Sequence, residues 1–179
     1  RRQRQMCIET AYNESLDVIK PTVYAAQNMN WPADKLHVYV LDDGSRDAIE
    51  KFAREIGAGY IKRIEHNHAK AGNINHAMTV TDSPFITIFD CDHVPSADFL
   101  EKTVGWLIKD DNIALVQTPH HFYSPDPFEK NLHLDRSLPI ENALFHDFIQ
   151  KGNDTWNATM FCGSSAVIED CLLYTSDAA

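Results

Sequence analysis

Two aspartates one residue apart, Asp90 and Asp92, close a run that reads Phe-Ile-Thr-Ile-Phe-Asp-Cys-Asp-His from Phe85 to His93. The apolar, β-branched and aromatic stretch predicts a buried strand. Side chains two apart on extended chain point the same way, so both carboxylates face one side. A pair of aspartates at the carboxyl end of such a strand suits a divalent cation that also holds phosphates. In open α/β sheets, ligands bind at that end of the strands. The same residues also fit a solvated acidic turn, because Asp-x-Asp alone is a weak motif.

A second strand end carries the same chemistry in Leu41-Asp42-Asp43-Gly44-Ser45. Gly44 permits a tight turn and Ser45 fits an N-cap, although Asp, Gly and Ser are also ordinary turn residues. If the two strands are neighbours, four carboxylates share one cleft, where like charges raise one another's pKa unless a cation neutralises them. Lys70 lies in the polar stretch His66 to Asn73, just before a predicted helix, where an amine can meet a phosphate. A solvent-exposed lysine is the plainer reading. His66 and His68 have nothing nearby to complete a coordination set. Gln117-Thr118-Pro119-His120-His121-Phe122 mixes hydrogen-bonding groups with an aromatic face, a mixture that binds sugars and also builds ordinary loops. Phe161-Cys162-Gly163-Ser164 offers either a close backbone approach at glycine or a buried turn, with Cys162 a small packed residue. Trp106 reads as core rather than a ligand platform, and Trp156, in a polar loop, as either.

These residues need a frame, and the chain alternates strand and helix patterns, which predicts an α/β fold with a mainly parallel sheet. A first strand is expected near Ile8 to Ala11, and Pro21 opens a helix running to about Asn30. Leu36 to Leu41 is the second strand. Ile49, Phe52, Ala53 and Ile56 form one helical stripe. Gly59 to Ile64 is a third strand, and a helix is expected from about Asn73 to Val80. Leu100, Val104, Leu107 and Ile108 mark the next helix, and Ala114 to Gln117 another strand. Beyond it the alternation fades, with a helical stretch from about Glu141 to Gln150 and then loop and short strands from Trp156 to Val167.

The 179 residues carry 16 basic and 26 acidic side chains, a net charge of −10. That balance argues against non-specific nucleic-acid binding, which needs a basic footprint. Cys7, Cys91, Cys162 and Cys171 form neither a zinc signature nor a convincing disulfide framework, so a reducing setting is the simpler reading. No apolar run reaches the length of a membrane span.

Taken in order, Tyr12-Asn13-Glu14, Val40 to Ser45, His68 to Asn73, Phe89 to His93, Gln117 to His120, Asn153-Asp154, Trp156-Asn157 and Phe161 to Ser164 resemble the motifs of the processive family-2 glycosyltransferases, and among them the bacterial cellulose synthases. The resemblance covers roughly Tyr12 to Ile168. It implies a GT-A, Rossmann-like fold with helices on both faces of the sheet, truncated at its C-terminal end, over residues 9–169. It implies a UDP-glucose donor and a β-1,4-glucan acceptor. Tyr12 and Glu14 belong to the motif beside the uracil, and Asp42 and Asp43 would hold the uridine. Asp90 and Asp92 would act through Mg2+ or Mn2+ on the diphosphate, which Lys70 approaches. His120, Phe122, Cys162, Gly163 and Ser164 would line the acceptor.

The physics agrees with this assignment, since a cation and an amine on the diphosphate stabilise the charge that the leaving UDP acquires. A general base must also take the acceptor's proton. The family supplies it from a Thr-Glu-Asp motif that is not in this chain, nor is its Gln-x-x-Arg-Trp motif, so no catalytic residue is assigned here. The family's Pro-Thr before Tyr-Asn-Glu is replaced by Thr10-Ala11. Residues 1–8 and 170–179 match nothing in the family and read as adapter-derived tails of a gene fragment. The parent would sit at the cytoplasmic face of the bacterial inner membrane, with a periplasmic partner subunit and cyclic-di-GMP control. Alternatives are a related chitin- or hyaluronan-type synthase, a nucleotide-sugar-binding fragment without turnover, and a phosphohydrolase of the haloacid-dehalogenase type, whose opening motif Asp90 to Val94 also resembles.

Overall fold

Alternation with period two decides which side of the sheet each strand residue serves. Val38 and Val40 on strand β2 (Leu36–Asp42), Phe89 on β4 (Phe85–Asp90) and Val167 on β6 (Ala166–Glu169) point into one buried cluster. Leu41, Ile86, Ile88, Ala166 and Ile168 point into a second. The computed structural model describes residues 4–10, 14–64, 67–121 and 144–169. Among them, six strands form one sheet in the order β3-β2-β1-β4-β6-β5, with β1 at Arg4–Thr10, β3 at Gly59–Ile61 and β5 at Leu115–Gln117. β3, β2, β1 and β4 pair in parallel, and β6 runs antiparallel to both β4 and β5.

Helices cover both faces, as expected. The first cluster receives Ile19, Val23 and Ala26 from α1 (Leu16–Gln27) and Ile49, Phe52 and Ala53 from α2 (Asp47–Glu55). Phe99, Leu100, Val104 and Leu107 from α4 (Phe99–Lys109) join them. The second cluster receives Ile74, Ala77 and Met78 from α3 (Ala69–Val80). No helix among the described residues is long and apolar enough to cross a membrane. Two compact units divide the chain, Arg1–Gln117 with Gly163–Ala179 and Thr118–Cys162. The second unit contains a π-helical segment, Leu144–Gln150, within the helical stretch expected from about Glu141 to Gln150, and then a short helix α5, Lys151–Asp154.

Several expectations need correction. The first strand starts at Arg4 rather than Ile8, because pairing to β2 on one side and β4 on the other overrides a polar start with no strand pattern. Residues 4–8, expected as part of a tail, therefore lie in a central strand. α1 starts at Leu16 and carries Pro21 inside it, with the ring on the exposed side. α3 starts at Ala69, so Lys70 belongs to its first turn rather than to a preceding loop. Trp106 is 55% exposed instead of buried, because it falls off the Leu100–Val104–Leu107 stripe, and its ring faces Lys109 Nζ at 5.7 Å. Trp156 is exposed as well.

Candidate functional site

β1 stands between β2 and β4, so the two aspartate pairs do not lie on neighbouring strands. Asp42 instead pairs with Arg46, Asp43 with Arg63 and Asp90 with Lys70, while Asp92 has the His93 imidazole at 4.0 Å. Asp42 and Asp43 are adjacent and therefore point to opposite faces. Asp42 is fully buried on the α2 side. It accepts hydrogen bonds from the backbone N–H of Gly44 at 3.0 Å and of Arg46 at 2.8 Å. The Arg46 guanidinium adds bonds at 3.2 and 3.1 Å, and the Tyr60 hydroxyl one at 3.0 Å.

Burial pushes the Asp42 pKa up, but the hydrogen bonds from Arg46, Tyr60 and Gly44 outweigh it and hold the carboxyl below its ordinary value. Burial and the Asp42 carboxylate together raise the Tyr60 phenol. Asp42 thus closes the turn that leads into α2, whose first turn has no side-chain cap. The N-cap position of α2 is Arg46, and Ser45 takes a left-handed φ of 49°. A Cβ on Gly44 would come within 2.9 Å of Arg46 Nε, so a side chain there would displace the guanidinium that bonds Asp42. A further Arg46 bond, at 2.5 Å, reaches the Glu14 carbonyl. The Glu14 carboxylate has one oxygen buried without a hydrogen-bond partner.

At the end of β4, Asp90 and Asp92 flank Cys91, whose side chain turns the other way into the core. His93 N–H donates to the Asp90 carbonyl at 3.0 Å, which curls the chain so that the imidazole joins the carboxylates. One ligand atom from each of Asp90, Asp92 and His93 lies within 4.8 Å of the others. Two hard carboxylate oxygens and an imidazole form a donor set that suits a divalent cation. His93 Nδ1 is 3.6 Å from Asp90 Oδ2, and Nε2 is 4.0 Å from Asp92 Oδ1. The Lys70 amine bonds Asp90 Oδ1. Asp90 is half-buried and Asp92 exposed.

The turn is braced from behind. The buried Thr22 hydroxyl on α1 donates to the Cys91 carbonyl at 2.7 Å. Asp90 N–H donates to Ser164 Oγ at 2.8 Å, and the same oxygen meets His93 Nδ1 at 2.7 Å. Ser164, expected at the acceptor, is fully buried, and its hydroxyl serves the acidic turn. Gly163 beside it has a φ of 80°, a backbone shape that favours glycine. Ser164→Ala leaves the Asp90 amide without this partner and unties the imidazole. We expect a loss of about 1–2 kcal/mol of stability and about ten-fold weaker Mn2+ binding, measured by thermal melts and by calorimetric titration of the metal. An unchanged metal affinity would remove Ser164 from the site.

Two further expected residues, His120 and Cys162, belong to the second unit. His120 stacks at a tilt on His146, ring centroids 5.1 Å apart. Cys162 there is half-exposed, its Sγ accepting from Gln150 Nε2 at 3.2 Å. Tyr12, His66, Phe122 and residues 170–179 lie outside the described residues. Sequence reasoning missed His93 as a candidate ligand, although its place next to Asp92 was a signal. It also missed Arg46, Tyr60 and Arg63, for which there was no local signal. Arg63, 7% exposed, forms a two-pronged ion pair with Asp43 at 2.6 and 2.7 Å.

The chain is 56% identical over 157 residues to the cellulose synthase catalytic subunit [UDP-forming] of Pseudomonas fluorescens (strain SBW25), covering 88% of this chain and 21% of that protein. It is 55% identical over 158 residues to cellulose synthase 2 of Novacetimonas hansenii, covering 88% and 10%. The chain thus spans about a fifth or less of the curated relatives it matches.

Among solved structures, it resembles glucosyl-3-phosphoglycerate synthase from Mycobacterium tuberculosis, in complex with Mn2+, UDP and glucosyl-3-phosphoglycerate. That match has a TM-score of 0.61 and 19% identity over 95% of this chain and 58% of that one. It also resembles the mannosyltransferase from Pyrobaculum calidifontis in complex with GDP-Man and Mn2+, with a TM-score of 0.55 and 27% identity over 66% and 37%. The architecture is the GT-A fold. The family model described as glycosyl transferase family 2 matches residues 7–173, a span that takes in both aspartate pairs, Lys70 and Ser164, and the chain belongs to that family.

Proposed function

We propose that this chain is the donor-binding part of a UDP-forming β-glucan synthase. It would hold UDP-glucose for transfer to the end of a β-1,4-glucan. The observation that carries this is the Asp90–Asp92–His93 cluster with Lys70 against it, in a chain 50–58% identical to bacterial cellulose synthases. Asp90, Asp92 and His93 would hold Mg2+ or Mn2+, which when bound supplies positive charge to the diphosphate oxygens. Lys70 would exchange part of its contact with Asp90 for the phosphates, adding a second charge where the UDP leaving group becomes anionic.

Tyr12 and Glu14 would lie by the uridine, and Asp42 and Asp43 would shape its side of the pocket. His120, Phe122, Cys162 and Gly163 would meet the glucan. The acceptor's proton would go to the family's Thr-Glu-Asp motif, which is not among these residues. The whole protein would work at the cytoplasmic face of the bacterial inner membrane, with a periplasmic partner subunit and cyclic-di-GMP control.

Calorimetric titration of UDP into this chain tests the reading. Saturable binding is expected with Mn2+ or Mg2+ present and none after chelation with EDTA. Binding that ignores the metal, or none with folded protein, would overturn it. Turnover of UDP-glucose against UDP-N-acetylglucosamine by the full-length protein would fix the sugar.

A further inference from the structure

The ends of β2 and β4 are separated by β1, yet a single side chain fastens the first of them to the segment that delivers Lys70 to the second. Arg63 follows β3 and is almost wholly buried. Its Nε and one terminal nitrogen donate to both oxygens of Asp43. The same terminal nitrogen donates to the Ala69 carbonyl at 2.8 Å, and the other donates to the Asn67 carbonyl at 2.6 Å. Four bonds from one planar group thus join the β2 terminus to the entry of α3. Lysine, with a single compact ammonium, lacks the fork that makes them together.

The segment being held is strained. His68 and Ala69 have φ of 61° and 41°, in the left-handed region that L-residues with a side chain rarely enter. Such conformations persist where the surroundings over-determine them. No side chain caps the start of α3. Arg63 grips the carbonyl of the second strained residue, and Lys70 is the next one. Gly72 completes the fit, because a Cβ there would collide with the Asn67 carbonyl and the Arg63 guanidinium. The first turn of α3 therefore packs directly on the grip.

We infer that Arg63 is a positioning residue for donor binding. Locked by Asp43, it fixes the His68–Ala69 turn and so sets the Lys70 amine at Asp90, where the diphosphate would lie. Asp43 then serves the donor through Arg63 rather than by touching the uridine. The diphosphate part rests on the donor-binding reading above, whereas the grip on Lys70 can be measured with no nucleotide present.

Two readouts on the purified chain separate these. The first is trace acetylation followed by peptide mass spectrometry. Arg63→Lys is expected to raise modification of Lys70 several-fold while Lys51 and Lys109 react as before. The second is Mn2+-dependent UDP titration. Arg63→Lys and Lys70→Met are each expected to weaken binding about ten-fold, and the double variant to bind no worse than Lys70→Met. A purely structural role would add its loss to that of Lys70→Met in full, and that result overturns the inference. Unchanged Lys70 acetylation in folded Arg63→Lys overturns the grip itself. Failure of the unaltered chain to bind UDP with metal overturns the diphosphate part together with the donor reading. Should Arg63→Lys not fold, Asp43→Asn, which leaves both carbonyl bonds of Arg63 in place, carries the same two readouts.

Discussion

Asp90→Ala is expected to abolish manganese-dependent UDP binding while leaving the fold nearly as stable as before. The two effects separate because Asp90 does different amounts of each kind of work. Its side chain is 35% exposed, and so is its partner Lys70 at 34%, so the ion pair is solvent-screened and contributes about 0–1 kcal/mol. The buried contact of this residue is made by its backbone N–H to Ser164 Oγ, which the substitution does not remove. For binding, the carboxylate is one of the three groups proposed to hold the cation and also the anchor of Lys70. Losing a supporting group alone costs about 10–100-fold in metal affinity, so losing a ligand and an anchor together should exceed 100-fold. Asp90→Asn, with the same shape and no charge, should behave alike. Melting curves beside calorimetric titrations provide the check. Metal-dependent binding at wild-type strength would show that the cluster does not hold the cation.

Much of this site was legible because its signals are local. A strand pattern ending in Asp-Cys-Asp places two carboxylates on one side and the cysteine on the other, and the structure follows that alternation with Cys91 buried. The α2 stripe was legible for the same reason, as Ile49, Phe52 and Ala53 recur at the helical period. Strand order was not legible. Nothing in the residues at the ends of β2 and β4 says that β1 comes between them, so that the two aspartate pairs end strands that are not neighbours. The period-two rule did contain the parting of Asp42 and Asp43, since adjacent residues on extended chain face opposite ways. The start of α3 carried no local signal, because it depends on Arg63, six residues before Ala69 and beyond a strand end.

Asp42→Ala is expected to lower stability by about 3 kcal/mol, through the loss of a partner to buried donors. Five hydrogen bonds converge on this side chain, from two backbone amides, the Arg46 guanidinium and the Tyr60 hydroxyl. For a chain of this size such a loss corresponds to a melting temperature lower by roughly 6–12 °C. It also predicts a pH dependence. The folded-state pKa of Asp42 lies below its ordinary value of 3.8. Its contribution is therefore complete above that value and fades as pH falls through the lower, folded one. Acidification from pH 5 to pH 2.5 should cost the unaltered chain more melting temperature than it costs Asp42→Asn, while the two should respond alike between pH 6 and 8. Thermal melts followed by circular dichroism across that range decide the matter. Unchanged melting together with weakened UDP binding would assign the carboxylate to the uridine. A lower melting temperature that recovers no ground at acid pH would show that some group other than the Asp42 carboxylate stabilises the turn.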